Sequence, residues 1–231
     1  MSLIAGLFQS SVGRKLIMAV TGVILFLFVV LHMVGNLQIF FGPEHLNAYA
    51  LFLQSNVEIL WPARIFLLAT IGLHLWAAVV LTLENRAARP QGYADKPAPL
   101  AAGYASRTML VSGLIVLCFI VYHLLHFTVQ VPAVNLTGQD FKTLHDAKGR
   151  HDVYRMMVVA FGNPWVSGFY VLGMALLCLH LSHGLRALFQ SLGLKNEAWG
   201  PIQGRFALAA AWIIFLGNCS MPAAVWLGVI R

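Results

Sequence analysis

Five stretches of the chain carry no Asp, Glu, Lys or Arg: residues 16–41, 65–83, 108–131, 156–185 and 206–230. Each is about as long as the ~20 apolar residues that an α-helix needs to cross a bilayer. Strands cannot satisfy their backbone in lipid unless they close into a barrel, so runs of this length predict helices. The expected spans are 15–41, 62–86, 107–131, 164–190 and 205–230, forming one transmembrane domain over residues 1–231. Between the first two, residues 43–61 place Leu46, Tyr49, Leu53 and Val57 at helical spacing, which predicts an amphipathic helix lying on the membrane surface. The connection 84–107 holds Pro90, Gly92, Pro97, Pro99 and Gly103, the signature of an irregular loop. The connection 132–164 is the longest and most charged, and Asn163-Pro164-Trp165 marks the start of the fourth helix with an aromatic anchor. Residues 193–201 read as a short turn.

Composition supports this reading. Hydrophobic residues make up 59% of the 231 and charged residues only 10%, against roughly a quarter in soluble domains. The fold class is therefore an all-α membrane protein with five helices in a bundle. The first run is too long and too late in the chain for a signal peptide, and is expected to be retained.

Charge sets the expected orientation. With the N-terminus inside, the inner segments hold Arg14, Lys15, Arg86, Arg89, Lys96, Arg107, Arg186, Lys195 and Arg205. The outer ones hold Arg64, Lys142, Lys148, Arg150, Arg155 and Arg231, diluted by Glu44, Glu58, Asp140, Asp146 and Asp152. Basic residues favour the cytoplasmic side, so the N-terminus is expected inside and the C-terminus outside. The net charge of +7 then suits anionic lipid or a docked cytoplasmic partner rather than nucleic acid. Cys118, Cys178 and Cys219 are far apart within apolar runs and read as small buried hydrophobes, not as a disulfide framework.

Four of the apolar runs each carry a histidine at depth: His32, His74, His123 and His180. An ionisable residue inside a membrane points to function, and neutral imidazole is a common haem ligand. At about 1.5 Å per residue, His32 and His123 lie ~14–15 Å from the outer boundary, and His74 and His180 ~20–22 Å from it. They sort into an outer and an inner pair, each shared between two helices, as two bis-histidine haems require. His126 and His183 each follow a candidate ligand by three residues, on nearly the same face. They are alternative ligands, contacts to haem propionates or quinone, or parts of a metal site; the differing depths of His123 and His180 and the lack of carboxylates argue against the last. Gly35, Gly72, Gly113, Gly173 and Gly184 leave room for a flat macrocycle or for close helix packing. His45, His145 and His151 read as solvated loop residues. Glu58, just before the second helix, is a candidate proton donor or acceptor for a quinone beside the outer haem.

Several segments then carry a resemblance: Ser11-Val-Gly-Arg-Lys-Leu-Ile-Met-Ala-Val-Thr-Gly22, His32-Met-Val-Gly-Asn36, Arg107-Thr-Met-Leu-Val-Ser-Gly113, His123-Leu-Leu-His-Phe-Thr128, His180-Leu-Ser-His-Gly-Leu-Arg186 and Phe189-Gln-Ser-Leu-Gly-Leu194. Together they resemble the cytochrome b membrane anchor of succinate:quinone oxidoreductases (succinate dehydrogenase and fumarate reductase), in its single-chain, five-helix, two-haem type. The resemblance implies two haem b groups, the outer held by His32 and His123 and the inner by His74 and His180. It implies cytoplasmic partners, a flavoprotein with FAD and an iron–sulfur protein. Electrons from succinate would pass through the inner and outer haems to a membrane quinone such as menaquinone, or run backwards in a quinol:fumarate reductase. It further implies a multi-pass protein of the bacterial inner membrane, in complexes that often assemble into larger oligomers. The competing readings are the cytochrome b anchor of a formate dehydrogenase or hydrogenase, and a haem-free transporter using histidines as a proton relay.

Overall fold

A computed structural model describes residues 3–88 and 109–231, all of the elements helical apart from one isolated bridge between His145 and His151. The expected loop prolines and glycines from Pro90 to Gly103, with Arg89, Lys96 and Arg107, lie outside the described residues.

A short helix α1 (Leu3–Gln9) leads into α2 (Ser11–Asn36), whose first turn is capped by Ser10 Oγ accepting from the Gly13 amide at 3.0 Å. Such a cap satisfies one of the donors that every helix start leaves open. A side chain at Gly13 would collide with the Leu7 backbone, so the α1–α2 corner requires glycine there. α2 tightens into a 3-10 turn (Leu37–Phe41) and ends at Gly42, whose φ of +93° starts α3 (Pro43–Ser55). Next come α4 (Val57–Ala87), α5 (Met109–His123) closing in a π turn (Leu124–Thr128), α6 (Val153–Gly162), α7 (Pro164–Ser191) and α8 (Gly200–Trp226). Five helical stretches are long and apolar enough to span a membrane: Ser11–Phe41, Val57–Ala87, Met109–Thr128, Pro164–Ser191 and Gly200–Trp226.

Two expectations change in detail. The surface helix between the first two spans stops at Ser55, and residues 57–61 belong to α4. Pro62 reads as a helix start, yet the helix continues back through it, forgoing the bond its nitrogen cannot donate. Within α3 the buried residues are Leu46 and Asn47, whereas Leu53, and Val57 beyond it, are exposed. The connection 132–164 is also more than a loop. It holds a helical turn (Pro132–Asn135), a 3-10 turn (Phe141–Thr143) and all of α6. The uncharged run that begins at Met156 disguised α6 as the approach to the fourth span. At α7 the expected start is observed: Asn163 Oδ1 accepts from the Trp165 amide at 3.0 Å, and Trp165 is exposed.

The bundle is built around α2 and α7. α4 packs on α2, α5 on α7, and α8 on both α7 and α2, while α4 and α5 make no extensive contact with each other. Arg14 near the start of α2 forms an ion pair with Glu84 near the end of α4. The larger buried side chains gather at the end that carries α3 and α6: Ile39, Leu46, Phe119, Met157, Phe161, Val166, Tyr170, Met221 and Ile230 make one cluster, and Phe141 and Met156 a second beside it. Toward the opposite end the buried positions are mostly small: Ala19, Thr21, Ala77, Ser112, Ala207 and Ala211. Of the cysteines only Cys178 is buried; Cys118 is exposed and Cys219 half-buried. The expectation of three buried thiols thus holds for one, because Cys118 faces outward from α5.

Candidate functional site

The apolar, α-helical segments that hold the four histidines leave each imidazole to find polar partners on a neighbouring helix. On α2, His32 is exposed and stacks on Phe28 one turn earlier, with ring centres 5.3 Å apart. Its ring meets that of His123 on α5 edge-on, 5.6 Å between centres. The structure therefore brings His32 and His123, the pair expected to be the outer one, together across two helices that are distant in sequence.

His74 and His180 have matching surroundings instead. His74 Nδ1 lies 2.9 Å from Thr21 Oγ1, and the Thr21 hydroxyl donates to the Ile17 carbonyl at 2.7 Å. With its proton so engaged, the threonine oxygen accepts from His74 Nδ1–H, which leaves Nε2 with a free lone pair. On α7, His180 Nδ1 lies 3.4 Å from Ser112 Oγ, and that hydroxyl donates to the Met109 carbonyl at 3.1 Å. The residue after each hydroxyl is glycine, and each glycine abuts the same ring. A Cβ on Gly22 would stand 3.6 Å from His74 Cε1, and one on Gly113 would stand 3.3 Å from His180 Cε1. A hydroxyl–glycine pair on one helix thus seats a histidine on the next, twice. Metal-binding imidazoles are commonly held through the second ring nitrogen in this way.

The remaining candidates separate clearly. His126 is fully buried in the π turn, stacked on Phe127 with centres 4.2 Å apart and bonded through Nδ1 to Tyr170 Oη at 3.0 Å. Among the described residues, its Nε2 has no partner. His183 is half-buried one turn beyond His180. Glu58 is exposed in the first turn of α4, where the positive end of the helix favours a carboxylate. His45 and His145 are exposed and bond neighbouring carbonyls, Phe41 O and Thr143 O. His151 corrects the expectation of a solvated loop residue. It is half-buried, with Nδ1 donating to Leu144 O at 3.1 Å and Nε2 accepting from Gln130 Nε2 at 2.9 Å. Gln130 itself takes a left-handed turn (φ +57°) that ends the third span. Among the described residues, no three His, Cys, Asp or Glu side chains converge as a metal site would require.

Sequence reasoning passed over Thr21, Gly22, Ser112 and Tyr170 as site residues. The available signal was the repeated hydroxyl–glycine dipeptide inside two apolar runs.

These features define a class: a multi-pass helical membrane protein in which two spans bring imidazoles ring to ring and two more seat imidazoles on hydroxyl–glycine pairs of neighbouring helices. The chain belongs to the succinate dehydrogenase/fumarate reductase transmembrane subunit family, whose profile matches residues 83–217, more than half of its length. His123, His126, His180 and His183 fall within that match, and His32 and His74 precede it. No curated protein and no solved structure matches the chain. The protein is accordingly a multi-pass membrane subunit of a succinate dehydrogenase or fumarate reductase.

Proposed function

We propose that this subunit is a two-haem cytochrome b that carries electrons between an iron–sulfur partner subunit and a membrane quinone. The observation that supports this most is the twofold use of a hydroxyl–glycine seat, which leaves His74 and His180 with Nε2 free on spans that pack apart from each other. The donor set fits haem b: neutral imidazoles, small residues against the rings and no carboxylate to compete. His32 and His123 would hold the iron of the outer haem, and His74 and His180 that of the inner one. Bound there, haem b supplies a one-electron carrier whose potential depends on its imidazoles, burial and nearby charge.

The chain's own residues fix ligand positions and tautomers, exclude water and set the spacing along the membrane normal. Near the outer haem, an apolar groove of about 310 Å³ runs between Leu27, Phe28 and Leu31 of α2 and Ala63, Phe66 and Leu67 of α4. It suits the isoprenoid tail of a quinone, with menaquinone our choice. Glu58, five residues before Ala63, would exchange the proton that quinone reduction requires. The excess of basic residues expected inside supports an inner N-terminus. That face would dock the FAD-bearing flavoprotein and the iron–sulfur protein, in a bacterial inner membrane. Succinate oxidation and fumarate reduction use the same wire in opposite directions.

Reduced-minus-oxidised spectra of the purified complex, with redox titration, test the reading. The expected result is two haem b components. His74→Leu and His180→Leu should each remove the same component, while His32→Leu and His123→Leu each remove the other. A complex without haem, or with one haem lost only when all four are changed, overturns it.

A further inference from the structure

At the outer pair, one hydroxyl reaches two imidazoles. Tyr170 Oη of α7 lies 3.4 Å from His123 Nδ1 and 3.0 Å from His126 Nδ1. Tyr170 is 7% exposed and His126 fully buried, so water does not compete for these bonds. The π turn that closes α5 brings both histidines of one helix to the same phenol. Such turns are uncommon and concentrate at functional sites. Around the phenol, Phe119, Phe127 and Phe161 stand edge-on with centres 5.2, 5.6 and 5.3 Å away, which fixes its plane. On the far side, Phe127 and Phe141 pack against the His126 ring.

We infer that Tyr170 and His126 are positioning residues that set the tautomer, the ring orientation and, through them, the redox potential of the haem bound by His123. The proton count gives the direction of the chain. A His123 that offers Nε2 to iron keeps its proton on Nδ1 and donates it to Tyr170 Oη. The phenol satisfies its own proton by donating to His126 Nδ1, so His126 is protonated at Nε2. The three groups form one directed chain, His123 to Tyr170 to His126, buried where each bond is strengthened by low polarity. A buried acceptor on Nδ1–H makes a ligating imidazole more basic. The more basic ligand favours ferric over ferrous iron and holds the potential down.

The inference rests on the proposed function, in that His123 must be a haem ligand. Its test uses the whole membrane complex, redox titration of both haems and low-temperature electron paramagnetic resonance of the oxidised state. Tyr170→Phe keeps the packing and deletes the acceptor. The expected result is a higher midpoint for the haem that His123→Leu removes, with the ferrous:ferric ratio at the wild-type midpoint raised by up to about tenfold. The low-spin signal of that haem should move with it, and the other haem should stay unchanged. His126→Leu, which strands the phenol proton, should shift the same haem in the same direction but less, and His126→Asn, whose Oδ1 can accept from the phenol, should restore the wild-type value. Should Tyr170→Phe fail to assemble, the two His126 variants carry the comparison alone. Two intact haems with unchanged midpoints and signals in these variants would overturn the positioning role and leave the proposed function standing. A wild-type complex without haem, or a His123→Leu complex that keeps both haems, removes the reading beneath it and the inference together.

Discussion

Whether an imidazole can bind a metal depends on which of its nitrogens is already engaged, and here that choice lies with residues the histidines' own helices do not contain. Thr21 and Ser112 each spend their proton on a carbonyl of their own helix and present only an acceptor to His74 and His180. If those histidines share one haem, Thr21→Val and Ser112→Ala should raise the midpoint of the same haem. Each effect should stay within about 1 kcal/mol, the net worth of one hydrogen bond. Titration of the two variants checks this, and shifts on two different haems would refute the pairing. At this scale the histidines were legible in the sequence because an ionisable residue inside an apolar run is costly and stands out. Their seats were not. A serine or threonine in such a run ordinarily bonds its own preceding turn, and these hydroxyls face partners 53 and 68 residues away. Tyr170 was hidden in the same way, as one aromatic among many in an apolar helix.

Among the elements, α3 and the 132–164 connection are held by a polar clasp. Glu44 accepts from Lys148 Nζ at 2.8 Å and from Arg150 Nη2 at 2.8 Å, while Arg150 Nε donates to Asp146 at 2.7 Å. Asn47 joins the same elements more deeply: its Nδ2 donates to Asp152 at 3.0 Å and its Oδ1 accepts from the Tyr154 amide at 3.0 Å. The two basic partners push the Glu44 carboxyl down from 4.5 to about 2. A depressed carboxylate contributes stability that is complete above its unfolded value and is lost as pH falls through its folded one. The Glu44 arm should therefore persist as pH falls below 4.5 and fail near pH 2. Glu44→Gln should loosen the connection already at neutral pH. Limited proteolysis between Thr137 and His151 reads both effects, and equal cleavage of wild type and variant at neutral pH would show that the arm is idle. Because Glu44 is exposed, added salt should weaken the arm. That a separate helix follows the first span was legible here, although of its apolar spacing residues only Leu46 is buried. Helix α6 was not, since from Met156 onward its residues merge without a charge break into the run that begins the next span.

For the molecule as a whole, the uneven distribution of buried side chains matters more than the number of spans. Five helices long and apolar enough to cross follow from apolar length alone, because the membrane imposes that length, and the structure has five such helices. The sequence could not show that bulky packing gathers at the α3–α6 end while mostly small residues occupy the rest. Nor could it show that α4 leans on α2 and α5 on α7 with no extensive contact between the two. Packed side chains stabilise one end unaided, whereas spans without extensive mutual contact gain less from packing, and a haem held between His74 and His180 would add to what they have. A ligand that binds only the folded form adds to stability in proportion to its affinity, and the regions with fewest packed contacts open first. Protein made under haem limitation should therefore keep slow amide exchange in α6 and the first half of α7, which carry Met157, Phe161, Val166 and Tyr170. It should exchange faster in α4 around His74 and in α5 around Ser112. Hydrogen–deuterium exchange of haem-replete and haem-limited complexes measures this directly. Protection that falls evenly along all five spans would mean that the bundle is held by its own packing throughout, and that no prosthetic group completes its core.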